Sequence, residues 1–174
     1  RDRPYDSFEE IIIKGAAVGF ADVPLCEKEP YIIRYAEMID NWAECDCFCS
    51  CIKVKKSEAD DLLRLAEGLM YRKEEFVSRV GTVLMFSKFS DEPTVRKALT
   101  IYDRLPGGEY YRDMAVAWGI SVYCVRYPQL IVKYLEHSPI SIAVKLAAAQ
   151  KIRDSRRISD EVKHRVTDTV NAQR

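Results

Sequence analysis

Residues 74–102 read EEFVSRVGTVLMFSKFSDEPTVRKALTIY. Apolar residues recur at helical rather than alternating spacing on both sides of a polar break. The break is itself a helix start. Asp91 precedes Glu92-Pro93, and proline is tolerated in a first turn because its missing N–H has no intrahelical partner there. Nothing signals a hairpin: the chain holds seven glycines and no Asn-Gly or Asp-Gly pair, so strand pairing has no turn chemistry to start from. The stretch therefore predicts two helices joined by a short turn.

Working outward, the same periodicity predicts helices near 7–21, 27–39, 41–54, 57–71, 73–88, 93–104, 109–125, 127–136, 139–153 and 159–171. Ser57 precedes an acidic Glu58-Ala59-Asp60 turn, and Ser159 precedes Asp160-Glu161, both suited to a helix N-terminus. The Pro106-Gly107-Gly108 run stops one helix before the next begins. Short helices with short loops, at a pair spacing of about 35–45 residues, predict an all-α fold. The expected form is a HEAT-like helical-repeat solenoid of stacked antiparallel helix pairs, a single domain over residues 1–174 with a concave face.

At 48% hydrophobic and 31% charged residues, the composition is that of a globular domain with its own core,. No apolar run is long enough for a transmembrane helix and no signal-peptide pattern opens the chain. A cytoplasmic protein with reduced thiols is expected. Net charge is zero, but residues 126–174 hold ten Lys/Arg against five Asp/Glu, and residues 1–125 hold seventeen against twenty-two. The basic end includes Lys151, Arg153, Arg156 and Arg157, which suit either a phosphate backbone or a solvated helix face.

Four of the six cysteines crowd into Cys45-Asp46-Cys47-Phe48-Cys49-Ser50-Cys51. On a helix, residues two apart lie about 200° apart, so only Cys45/Cys49 and Cys47/Cys51 share faces. No second CxxC-type segment accompanies them, which favours small packing groups over a zinc site. A thiol-based metal or redox sensor at 45–51 is the competing reading. Trp42 and Asp46 stand four apart on the same predicted helix, neighbours able to hold positive charge through ring quadrupole and carboxylate together. An interhelix anchor beside a surface acid is the alternative. Arg79, among apolar neighbours, is open to three roles: exposed, in a buried ion pair, or on a phosphate. Trp118, flanked by Ala115, Ala117 and Gly119, suits a packed core.

Taken together, SFEEIIIKG (7–15), IDNWAECDCFCS (39–50), EFVSRVGTVLMFSKF (75–89), EYYRDMAVAWGISVYCVRYP (109–128) and AQKIRDSRRIS (149–159) resemble the AlkD-like DNA alkylation repair family, helical-repeat DNA glycosylases of bacteria. The likeness runs over nearly the whole chain, with the family's opening repeat missing upstream of Arg1. The resemblance implies a Trp/Asp pair at Trp42 and Asp46, an arginine at Arg79 and a second aromatic wall at Trp118. Asp113 and Ala147 depart from residues common in relatives.

The implied activity is hydrolysis of the N-glycosidic bond of cationic N3- or N7-alkylated purines in duplex DNA, as a monofunctional glycosylase of base excision repair. Asp46 would stabilise the oxocarbenium-like sugar and position water, and Trp42 and Trp118 would flank the lesion nucleotide. Arg79 would grip a phosphate, with Lys151, Arg153, Arg156 and Arg157 adding sequence-independent affinity. No cofactor or metal is expected, the partner is alkylated duplex DNA, and the chain is expected to act as a monomer. The competing functional class is a non-catalytic helical-repeat module that binds DNA or a protein.

Overall fold

The computed structural model describes residues 7–174, and every regular element among them is helical. The ten α-helices are α1 (Phe8–Phe20), α2 (Leu25–Ala36), α3 (Trp42–Cys51), α4 (Ala59–Met70), α5 (Glu75–Lys88), α6 (Glu92–Tyr102), α7 (Tyr110–Arg126), α8 (Pro128–His137), α9 (Ile142–Asp154) and α10 (Asp160–Asn171), with one 3₁₀ turn at Lys56–Glu58. The protein is all-α, as its periodicity predicts, and each expected helix has its counterpart. Several starts differ by two or three residues, at α2, α4, α5 and α9. Ser57 lies in the 3₁₀ turn and α4 begins at Ala59, because the Glu58 carboxylate is drawn away to accept from Leu25 N at 2.7 Å and Lys55 N at 3.0 Å. Those hydrogen bonds hold its pKa below the usual carboxylate value, and the Leu25 bond serves the start of α2.

Two compact units divide the chain, Arg1–Ser87 and Lys88–Arg174. In the first, α1 packs on α2 and α3, and α2 packs on α4. In the second, α7 packs on α6, α8 and α9, while α10 packs on α8 and α9. Each unit thus pairs a helix with the one two places along, α1 with α3 and α7 with α9, α2 with α4 and α8 with α10. In each such contact a helix buries its apolar stripe against its neighbour.

Local sequence explains the starts. Ser7 and Glu10 cap α1 reciprocally, the Ser7 hydroxyl accepting from Glu10 N and the Glu10 carboxylate from Ser7 N,. Asn41 caps α3 through Glu44 N at 3.0 Å, and Asp91 caps α6 through Thr94 N at 3.0 Å,. The end of α1 is served from a distance. Lys28 Nζ, buried in the first unit, donates to Gly19 O at 3.2 Å and Lys53 O at 2.8 Å. A lysine is hidden there because two carbonyls and a helix C-terminus meet its charge.

Helix α5 is buried from Val77 through Phe86 without interruption, so it needs close neighbours on every side. Gly81 permits one of them: a Cβ built there would lie 2.5 Å from Met70 N and 2.6 Å from Ala66 O of α4. Nearby, Ser78 Oγ donates to Met70 O at 2.7 Å, at the C-terminal end of α4 where carbonyls lack helical partners,. Gly68 lies on the exposed face of α4, where an added Cβ meets nothing within 4 Å. The same substitution should therefore act in opposite directions. Gly81→Ala is expected to cost about 2 kcal/mol by forcing α5 off α4, and Gly68→Ala to add about 0.5–1 kcal/mol from helix propensity. Urea unfolding midpoints check both.

Candidate functional site

The chemistry-bearing residues gather on α3 and α5 of the first unit. Trp42 opens α3 immediately after its Asn41 cap and stands 57% exposed, an unusual position for an indole. One turn on, the Asp46 side chain is 21% exposed. From α5, the Arg79 guanidinium meets it side-on: Nη2 donates to Asp46 Oδ1 at 2.8 Å and Oδ2 at 2.9 Å, and Nε donates to Oδ1 at 3.2 Å. Only 6% of the Arg79 side chain is exposed. Of the roles open to Arg79, the ion pair is the one the structure adopts, and any phosphate it meets it meets as half of that pair.

Flanking groups hold this arrangement in place. Cys45, Phe48 and Cys49 form the buried side of α3, with Cys49 Sγ 3.7 Å from Val80 O of α5, beside Arg79. Phe48 lies against Tyr35 with ring centroids 4.4 Å apart. The cysteine faces divide as helical geometry requires, Cys45 and Cys49 inside, Cys47 exposed and Cys51 between,. Among the described residues, no group of three or more His, Cys, Asp and Glu side chains is placed to hold a metal ion.

Thiol chemistry follows this burial. In the native protein Ellman's reagent is expected to react quickly with Cys26 and Cys47 and more slowly with Cys51,. Cys45, Cys49 and Cys124 are buried, and burial pushes the Cys124 thiol up to about 12, so these three should react only on unfolding. Rapid native labelling of all six would contradict the packing of α3.

Trp118 belongs to the second unit. It lines a cleft of about 400 Å³ between α7 and α9, together with Ser121, Val122, Val125, Lys151, Asp154, Ser155 and Arg157. The basic run at 151–157 is split by its geometry. Lys151 and Arg157 line the same cleft as the tryptophan, whereas Arg153 donates to Gln150 and to Thr167 Oγ1 of α10, the latter at 3.5 Å. Arg156 is exposed. Sequence reasoning passed over Ser121, Val122 and Val125, although the 118, 121, 122, 125 spacing marks one helix face. It also passed over Asp154, whose carboxylate tempers the charge of the cleft.

Two further arginine and lysine placements were not foreseen. Arg112 of α7 and Lys145 of α9 are both buried in the second unit. Lys145 Nζ donates to Gln173 Oε1 at 2.6 Å, and burial lowers its pKa. Among the described residues no helix is long and apolar enough to cross a membrane. No family model, curated protein or solved structure matches the chain.

Proposed function

We propose that this protein is a monofunctional DNA glycosylase that hydrolyses the N-glycosidic bond of cationic N3- or N7-alkylated purines in duplex DNA. The observation that carries the reading is the Asp46–Arg79 pair with an exposed Trp42 one turn away. Alkylation at N3 or N7 makes the base cationic, so it departs without protonation by an acid. As the C1′–N bond breaks, its electron pair neutralises the base and positive charge develops on the deoxyribose. Water then adds at C1′ and loses a proton. Asp46 stabilises the sugar charge and orients that water, and Arg79 holds the carboxylate in one rotamer. Trp42 offers its face to the cationic nucleotide.

In the second unit, Trp118 with Lys151 and Arg157 supplies an aromatic and cationic surface for the DNA strand, and Arg153 and Arg156 add salt-dependent attraction. The chemistry needs only water. A solenoid with a concave face, a cytoplasmic location and a monomeric state belong to the same reading. The test is chromatographic measurement of 7-methylguanine and 3-methyladenine released from methylated duplex DNA. Release abolished by Asp46→Asn supports the proposal, and the absence of any release by the wild-type protein ends it.

A second reading draws on the same pair. Both Asp46 oxygens already accept from Arg79, and a neutralised carboxylate stabilises a developing cation less. A helical-repeat module that binds DNA or a protein without catalysis is consistent with that. It predicts duplex binding with no base release and no response to Asp46→Asn.

A further inference from the structure

Helix α1 is apolar around most of its circumference but buried along one edge only. Its sequence is FEEIIIKGAAVGF, and of these residues Ile11, Gly15 and Gly19 are buried. That edge fits its neighbours closely: a Cβ at Gly15 would lie 2.6 Å from Tyr35 Oη of α2, and one at Gly19 2.7 Å from the Cys51 carbonyl carbon of α3. At about 100° per residue, Glu9, Ile13, Ala16 and Phe20 form a second stripe about 130° round the helix from the first. This stripe faces solvent, with Ile13 65% and Phe20 53% exposed. Beside it, exposed Val23 and Tyr31 line a cleft of about 410 Å³ with Ala17 and Val18. A contiguous apolar surface of this kind marks an interaction site, as scattered single residues do not.

The stripe fits a copy of itself. Positions 9, 13, 16 and 20 follow the alternating steps of four and three residues that line the seam between two packed helices. Consider two copies of α1 run antiparallel about a two-fold axis beside Ala16 and Ala17. Ile13 of each copy then meets Phe20 of the other, and the small pair at the crossing lets the backbones approach. Charge agrees with this direction. Glu9 and Glu10 lie in the first turn of α1, and Lys53 stands at its far end, with Nζ 4.9 Å from the Phe20 ring centroid. Glu10 already accepts from Ser7 N, which leaves Glu9 as the acid to meet a second copy. An antiparallel pairing carries the Glu9 of each copy toward the Lys53 of the other and sets the helix dipoles in opposite directions. A parallel pairing would set acid beside acid and lysine beside lysine.

We propose that α1 is the seam of a two-fold dimer of this chain, with Ile13 packed on Phe20 and Glu9 paired with Lys53 across it. The contact is small and of the transient class. By mass action the pair forms at micromolar concentrations and the monomer prevails at the nanomolar concentrations of an activity assay. The inference uses none of Trp42, Asp46, Arg79 or Trp118, so it stands or falls separately from the glycosylase reading.

Sedimentation velocity of the full chain between about 1 and about 500 µM tests it. The weight-average mass should climb from that of one chain toward that of two and stop there, because a two-fold contact closes on itself. Ile13→Glu should weaken association by about tenfold or more and melt like the wild type, since the side chain it replaces is exposed. Glu9→Lys and Lys53→Glu should each weaken the dimer by about fivefold, each change acting twice across the two-fold axis. The double variant Glu9→Lys/Lys53→Glu should return to within about threefold of the wild type. These charge variants leave the apolar contact intact, so they test the seam even if Ile13→Glu fails to fold. The proposal is overturned if the wild type stays monomeric throughout, if its mass grows past two chains, if a folded Ile13→Glu associates like the wild type, or if the double variant is no better than the single ones. A monomeric wild type that co-sediments with phosphatidylcholine vesicles assigns the face to lipid and likewise overturns it.

Discussion

Asp46→Asn is expected to lower release of 7-methylguanine from methylated duplex DNA by about 10²–10³-fold, the usual cost of losing one preorganised electrostatic contact to a transition state. The substitution keeps the shape of the side chain and one oxygen able to accept from Arg79, and it removes the charge the sugar cation would feel. Duplex affinity should change by less than about threefold, because backbone affinity depends on the cations. The assay should be read beside a melting curve. An amide that turns its NH₂ toward the guanidinium would cost about 1–2 kcal/mol of stability, and a loss of activity larger than the unfolded fraction isolates the chemical role. Turnover like that of the wild type would remove Asp46 from the mechanism.

Arg79→Met should be the most damaging single change to the first unit. It deletes three hydrogen bonds to Asp46 and leaves a carboxylate facing a buried helix. Truncating one partner of a buried pair costs about 3–5 kcal/mol; with the Asp46 side chain 21% exposed, the lower end applies, about 3 kcal/mol, lowering Tm by about 6–10 °C. The double variant Asp46→Asn/Arg79→Met should recover about 1–2 kcal/mol of that loss, since the uncompensated charge is gone. Additive losses would show that the two side chains do not depend on one another. If Arg79→Met melts like the wild type, the pair does not tie α3 to α5.

Periodicity and caps made the helices legible, because both are local. An apolar stripe at helical spacing and an oxygen at the N-cap satisfy the same backbone groups wherever the helix later packs. The faces of Cys45, Cys47, Cys49 and Cys51 were readable for the same reason, as was the adjacency of Trp42 and Asp46. Starts were less legible, off by two residues at α2, α4 and α5 and by three at α9; at α4 the shift goes with Glu58 reaching Leu25 thirty-three positions away, which no local pattern records.

By itself, then, the sequence determined an all-α chain and the pairs of residues that share a helix face, since 3.6 residues per turn is a property of the backbone. Tertiary structure alone decided which residues meet across helices. It gave Arg79 to Asp46, opened space at Gly68 and closed it at Gly81, and placed Lys151 and Arg157 in one cleft with Trp118 while Arg153 went to α10. It also buried Arg112 with its Nε unpartnered. Partners of this kind depend on helix separation and rotation, which are set by the packing of whole helix faces and not by any short stretch of chain.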